Sequence, residues 1–215
     1  MGKGISDILE IASKQEEGDF IKKNYFKLSS SGDSAVVRFL EQGDDVTWCY
    51  VHPISFPGKQ YPIRIPCRNQ SDNDPDSCPA CAQDIQRGFR GYINLIWRDA
   101  GEDGEDTIAL WEQGIGVFSE LGSKDQTYEG LSSRDFRITR KGTGKKSTRY
   151  FIEPAEVDSG PKSLSKNDKE LLKIKYDLNQ VIQPPTYERY EEMLGQSSES
   201  ADIEEEETKI NPFMK

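Results

Sequence analysis

Three cysteines and one histidine close together constrain this chain more than any other feature. Cys78 and Cys81 form a Cys-x-x-Cys pair, Cys67 precedes them, and His52, the single histidine, lies fifteen residues before Cys67. Zinc binds four nitrogen or sulfur ligands tetrahedrally, and a Cys-x-x-Cys pair supplies two thiolates from one tight turn. The loop between Cys67 and Cys81 is rich in Asn, Asp, Ser and Pro, with few apolar residues to fold it. The pattern therefore predicts one structural Zn²⁺ bound by these four side chains.

Other interpretations of the cysteines fit less well, and one ligand stays open. A thioredoxin-like pair needs a βαβ frame, but strand patterns surround Cys78 and Cys81. A zinc deaminase needs a His-x-Glu motif, and Ile54 stands where the glutamate would be. Unrelated core and loop thiols are the plainest alternative. Residues three apart on a regular strand face opposite sides, so Cys49 and His52 cannot both face one metal. We favour His52 and keep an all-cysteine site with Cys49 as the alternative.

Composition indicates a protein with one core and polar appendages. Its 215 residues are 34% hydrophobic and 31% charged, which suits one medium domain. No apolar run approaches the ~18 residues of a membrane span, and the opening MGKGISDILE lacks the apolar stretch of a signal peptide. We therefore expect an intracellular protein with no membrane partner, in which clustered thiols stay reduced and serve metal binding.

The charge is unevenly distributed along the chain. Residues 191–215 carry −6 of the net −10, through eight acids and two lysines. Residues 134–149, by contrast, hold seven cations and one acid. A basic strip within a mildly acidic body is compatible with an anionic partner such as nucleic acid, in spite of the overall charge.

Hydrophobic periodicity divides the chain into four parts. Residues 1–24 predict an N-terminal helix. Residues 25–160 carry short strands with a helix between the later ones, which predicts a mainly β fold, an OB-like Greek-key barrel, with a zinc subdomain inserted at about 50–85. Residues 161–194 predict a helical appendage, with helices in NDKELLKIKYDLNQVI and TYERYEEML. Residues 195–215 contain too little apolar surface to fold, so we expect a disordered acidic tail.

The order of these features resembles the single-stranded DNA-binding protein of T-even bacteriophages and its relatives in other phages. SAVVRFL resembles that family's opening strand, and His52, Cys67 and DSCPAC resemble its Cys₃His zinc subdomain. GYINLIWRDAGEDGEDTIALWEQG resembles its long strand-turn-strand, GVFSEL the following helix, and DFRITR with TRYF a late hairpin that touches DNA. The resemblance covers roughly residues 34–155 and the acidic character of the tail.

This resemblance implies a zinc-containing OB fold that binds single-stranded DNA without sequence preference. It implies a role in phage DNA replication, recombination and repair in the cytoplasm of the bacterial host, with self-association on DNA. The tail would bind replication or recombination proteins through Asp202, Glu204, Glu205, Glu206, Glu207, Pro212 and Phe213. Two features depart from the family: residues 1–24 lack its short Lys/Arg-Ser-Thr segment, and the stretch NQSDNDPDS before Cys78 lacks a tyrosine that would contact DNA.

Binding of single strands requires cations for phosphates and aromatic faces for stacked bases. Such residues are interleaved along the predicted strands and the basic hairpin. The predicted DNA contacts are Arg38, Lys59, Tyr61, Arg64, Arg68, Arg87, Phe89, Arg90, Tyr92, Trp97, Arg137, Arg140, Lys145, Lys146, Arg149 and Tyr150. Because strand alternation sends about half of the side chains inward, Trp48 and Trp97 suit either a core position or a stacking surface.

Catalysis is not expected from this sequence. The single histidine is assigned to the metal, and the run GTGKKST lies at a hairpin tip, whereas a phosphate-binding loop joins a strand to a helix. The alternative function is a zinc-stabilised adaptor that recruits proteins and has no primary role in DNA binding.

Overall fold

The computed structural model describes residues 24–59, 61–71, 74–144, 147–156 and 160–195. The predicted N-terminal helix, apart from its last residue, and the acidic tail, apart from Gly195, lie outside these ranges. Within them, no helix has the length and apolar character needed to cross a membrane.

Within the described ranges, seven antiparallel strands form one sheet around a long central strand. They are β1 Ser34–Phe39, β2 Thr47–Ile54, β3 Ile63–Pro66, β4 Gly88–Trp97, β5 Thr107–Gln113, β6 Asp135–Lys141 and β7 Arg149–Pro154. The first half of β4 pairs with β2 and its second half with β1, while β5 also pairs along β4. The order is β3-β2-β4-β1-β6-β7, with β5 attached to β4.

The strand ladders leave this sheet open. β3 pairs only with β2, and β7 only with β6, among the residues described here. The predicted mainly β, antiparallel architecture is therefore confirmed. The predicted closure into an OB-like barrel is not seen, because no ladder joins the two ends of the strand order.

In the part of the chain that the structure describes, five helices accompany the sheet. They are α1 Pro79–Ala82, α2 Ile115–Thr127, α3 Lys166–Leu171, α4 Leu178–Val181 and α5 at 187–195. The prediction of one helix through NDKELLKIKYDLNQVI is wrong, because α3 and α4 are separated. Buried Asn94 on β4 explains the break, since its side chain accepts a hydrogen bond from the Tyr176 backbone N–H and donates one to its carbonyl, both at 3.0 Å.

The main core lies against one face of the sheet and is closed by α2. Its centre contains Phe39, Trp111 and Phe136, all at most 1% exposed, with Leu121 of α2 packed against them. Gly91 lets α2 approach β4, because a Cβ atom there would lie 2.4 Å from the Phe118 ring. Each fully buried side chain of this size contributes about 1.5–3 kcal/mol, so this core fixes the frame on which the candidate sites lie.

Candidate metal centre and nucleic-acid groove

The four predicted metal ligands come together in one cluster. His52, Cys67, Cys78 and Cys81 place their ligand atoms within 4.8 Å of one another. His52 Nε2 lies 3.7 Å from Cys78 Sγ and 3.5 Å from Cys81 Sγ, and the sulfurs of Cys67 and Cys81 are 3.5 Å apart. The cluster can hold a metal ion.

Local structure accounts for the meeting of these side chains. His52 lies on β2 opposite Ile65 of β3, and Cys67 comes two residues later, where its N–H donates to the Tyr50 carbonyl at 2.8 Å. Cys78 is the N-cap of α1, whose first residue is proline, and Cys81 lies one helical turn further on. The tight turn therefore aims both thiols at the β2–β3 hairpin.

The distances fit a tetrahedral ion. Metal–sulfur bonds of about 2.3 Å at tetrahedral angles separate two sulfurs by about 3.8 Å, and sulfur from nitrogen by slightly less. The 3.5–3.7 Å separations in the cluster are close to these values. A disulfide would need a separation of about 2.05 Å, and all of these cysteines are free. The donor set and its spacing thus suit a thiolate-preferring metal.

The environment of the thiols differs from one to the next. Burial raises the pKa of Cys67, and burial together with the neighbouring thiols raises the pKa of Cys81 to about 12. Burial acts in the same direction on Cys78, but hydrogen bonds with the backbone of Cys81, Arg68 and Ala80 outweigh it and lower the pKa of Cys78. Burial also lowers the pKa of His52, which favours the neutral imidazole that binds metals.

Helix α5 covers the metal cluster, which the sequence did not predict. Tyr190 is fully buried, Leu194 is 4% exposed, and both pack in one hydrophobic cluster with Cys67 and Cys78. The Tyr190 ring centroid lies 6.4 Å from that of His52. The spacing of Tyr187, Tyr190 and Leu194 marks one apolar face of a helix, but only the fold reveals what that face covers.

Cys49 lies outside the cluster and belongs to the core. It is 2% exposed and packs with Val51, Tyr92, Leu110 and Leu178, and burial is the main cause that raises its pKa to about 11. Cys49 and His52 face opposite sides of β2, as the alternation of strand residues requires.

We predict that Cys49→Ala retains one metal ion per chain and that Cys78→Ala loses the ion. Cys78→Ala removes one of the four candidate ligands, whereas Cys49→Ala only shortens a core side chain. Zinc content after gel filtration, measured on both variants and on the unmodified protein, checks this. A Cys49→Ala protein without zinc would assign Cys49 to the site.

A second feature is an open groove of about 970 Å³. Its walls come from residues 25–28, the start of β3, the start of β4, the end of β5, the first turns of α2, and the β6–β7 hairpin. Five cations line it, namely Lys27, Arg64, Arg90, Arg140 and Arg149. Tyr25, Tyr61 and Tyr150 supply aromatic rings, and Glu112 and Glu120 supply the acids.

Contacts within the groove hold several of these cations in place. The Glu112 carboxylate forms ion pairs with Arg64 at 3.2 Å and with Arg90 at 3.3 Å, so one negative charge is shared by two positive charges. Arg140 donates to the Leu28 carbonyl at 2.7 Å and also to that of Ser29. With five cations against two acids, the groove carries net positive charge inside a protein of net charge −10.

The structure distributes the predicted DNA contacts over several locations. Six line the groove: Tyr61, Arg64, Arg90, Arg140, Arg149 and Tyr150. Lys59 and Arg137 are exposed elsewhere. Arg68 and Arg87 hold the metal-binding loop, through hydrogen bonds to the carbonyls of Ser77, Pro185 and Asn69. Phe89 is half-buried beside Trp48, and Lys145 and Lys146 lie outside the described residues.

Three of the predicted contacts pack into the protein, two of them buried and Trp97 half-buried. Arg38 is 2% exposed and forms an ion pair with Asp135 at 3.1 Å. Tyr92 is 4% exposed within a core cluster. Trp97 packs edge-on against Phe26 at 4.9 Å. In each case a segment distant in sequence packs against the side chain, and for Trp97 this favours the core position over the stacking surface that the sequence left open.

Two exposed residues were missing from the predicted set. Lys27 and Tyr25 line the groove from the segment that precedes β1, which the sequence left without a strand or helix. The sequence signal for them is the alternation in Tyr25-Phe26-Lys27-Leu28, where Phe26 and Leu28 are buried and the other two are exposed.

No protein-family model matches the chain, and no curated protein matches it. The resemblance to phage single-stranded DNA-binding proteins therefore stays a prediction.

Proposed function

We propose that this protein binds single-stranded DNA without sequence preference, in phage DNA replication, recombination and repair. The observation that carries the proposal is the groove, in which five cations and three tyrosines surround one open channel. Positive charge attracts the phosphate backbone of any sequence. Aromatic rings add about 1–3 kcal/mol for each base that stacks on them.

The same groove favours single strands over duplexes. Tyr61 is 62% exposed and Tyr25 is 45% exposed, so their rings are available for stacking. They can stack only on a base that is unpaired. A duplex keeps its bases stacked inside and offers these rings only its backbone. The proposal includes the OB-like frame that the resemblance implies, because such folds bind single strands on an open face.

The ion that suits the Cys₃His cluster best is zinc, with a structural role. Four protein ligands leave no open position for a substrate or water, as in structural zinc sites. Bound there, zinc would supply cross-links between the β2–β3 hairpin, the polar loop and α1. His52 and the three thiols would then hold the loop within which Arg68 donates to the Ser77 carbonyl and whose Asn69 carbonyl accepts from Arg87.

The acidic tail would act through charge. Residues 191–215 carry a net charge of −6, and so can compete with DNA for a basic groove. When DNA displaces these residues from the groove, they can attract replication or recombination proteins. We propose this role, and self-association on DNA, as parts of the same function in the bacterial host.

The proposal is tested by titrating zinc-loaded protein into end-labelled oligo-dT, followed by fluorescence anisotropy. We expect saturable binding to the single strand and much weaker binding to a duplex of the same length. Equal binding to both would contradict the single-strand assignment. No binding to either would leave the zinc-stabilised adaptor as the better account.

A further inference from the structure

An exposed aromatic cluster lies outside the groove, on β2 and β4. Trp48 is 49% exposed, although tryptophan usually buries most of its surface. Its ring stacks on Phe89 with 5.6 Å between centroids and 25° between planes, and it meets the Tyr50 ring edge-on at 5.8 Å. The Trp48 ring is therefore supported from two sides and still open to solvent.

The surroundings of this cluster suit an anionic, aromatic ligand. The Arg87 guanidinium lies over the Tyr50 ring at 4.5 Å from its centroid, which places a positive charge next to the exposed tryptophan. Phe89 contacts Phe118 of α2 at 6.4 Å. The neighbours of Phe118 in α2, Gly116 and Val117, line the groove. The cluster is thus separated from the groove by one turn of α2.

From these contacts we propose that Trp48, supported by Phe89 and Tyr50, is a base-stacking position beyond the groove. A single strand that fills the groove continues past the first turns of α2 and stacks one unpaired base on the open face of Trp48. Arg87 supplies positive charge for the adjoining phosphate. This inference rests on the proposed function and adds to it a specific residue and a minimum strand length.

The test compares Trp48→Ala and Trp48→Phe with the unmodified protein on oligo-dT strands of about 4 to 16 nucleotides, the range of single OB-type sites. Trp48→Ala should weaken binding of the longest strands about 5- to 150-fold, the loss of one stacked base. The shortest strands should bind unchanged, because the groove alone holds them. The salt dependence should also stay the same, since no phosphate contact is removed.

Trp48→Phe separates stacking from a change of fold. It keeps a ring on Phe89, so we expect it to retain most of the affinity. The chain has three tryptophans, and of the other two Trp111 is 1% exposed and Trp97 packs against Phe26. DNA should therefore quench mainly Trp48, and Trp48→Phe should bind DNA with little quenching.

Each outcome decides the inference. If the unmodified protein binds DNA and Trp48→Ala binds strands of every length equally well, the inference is overturned. The groove then remains the DNA site, and the aromatic cluster would instead suit a protein partner. A loss in Trp48→Phe as large as in Trp48→Ala would also overturn it, because a ring would then not suffice. Failure of the unmodified protein to bind any strand would remove the proposed function and this position together.

Discussion

Chelation of the proposed zinc ion is expected to lower Tm by about 10–20 °C and to release helix α5. Structural zinc contributes about 10–16 kcal/mol of binding free energy in small zinc-binding peptides. A loss of about 5 kcal/mol in the free energy of unfolding, half of that range or less, corresponds to such a shift in Tm for a protein of this size. Tyr190 and Leu194 pack on the metal-binding residues, so α5 loses its support when the cluster opens. Thermal unfolding with and without a chelator measures the first effect.

Limited trypsin digestion at a temperature below the unfolding transition measures the second effect. Arg189 lies within α5, and cleavage after it requires that helix to unfold. Lys173 provides an internal control, because its side chain is also exposed and its segment is anchored to the sheet through Tyr176 and Asn94. We expect the chelator to accelerate cleavage at Arg189 and to leave Lys173 unchanged. Equal rates at Arg189 with and without metal would show that the ion does not support α5.

Removal of two groove arginines is expected to weaken single-strand binding about 25-fold at 0.1 M salt. Each phosphate contact on a single strand contributes about 0.7 to the slope of log affinity against log salt. The double variant Arg64→Ala with Arg149→Ala should therefore flatten the slope by about 1.4. Both side chains are exposed, and Glu112 keeps its contact with Arg90, so the fold should be preserved.

Arg137→Ala is the matched control for this variant. Arg137 is exposed on β6, in the same basic strip, but it does not line the groove. We expect its affinity and its salt slope to remain close to those of the unmodified protein. If Arg137→Ala weakened binding as much as the double variant, the strand would follow another path over the hairpin.

The metal cluster could be predicted from sequence because its chemistry is local and restrictive. Few residue types bind zinc, and the spacing of Cys78 and Cys81 fits one turn of backbone. Strand alternation showed only that His52 and Cys49 could not both be ligands, and the structure places His52 in the cluster and Cys49 in the core. The strands were predictable because burial of one face of a sheet imposes a two-residue period of apolar side chains along each strand.

Contacts between distant segments could not be predicted in the same way. Arg38 is buried because it pairs with Asp135, 97 positions away, and Tyr92 is buried because Leu178 packs in the same cluster. Nothing near either residue in the sequence indicates these partners. The break between α3 and α4 likewise depends on Asn94, and the packing of Tyr190 against the metal cluster depends on the whole path of the chain.

The most direct test of the central claim is the salt dependence of binding to oligo-dT by the zinc-loaded protein. Three to five of the groove cations in contact with phosphates predict a log–log slope of about −2 to −3.5. A slope in that range, with weak duplex binding, would establish the groove as a single-strand site. A slope near zero would contradict the claim, because a protein that neutralises no phosphates releases no counterions.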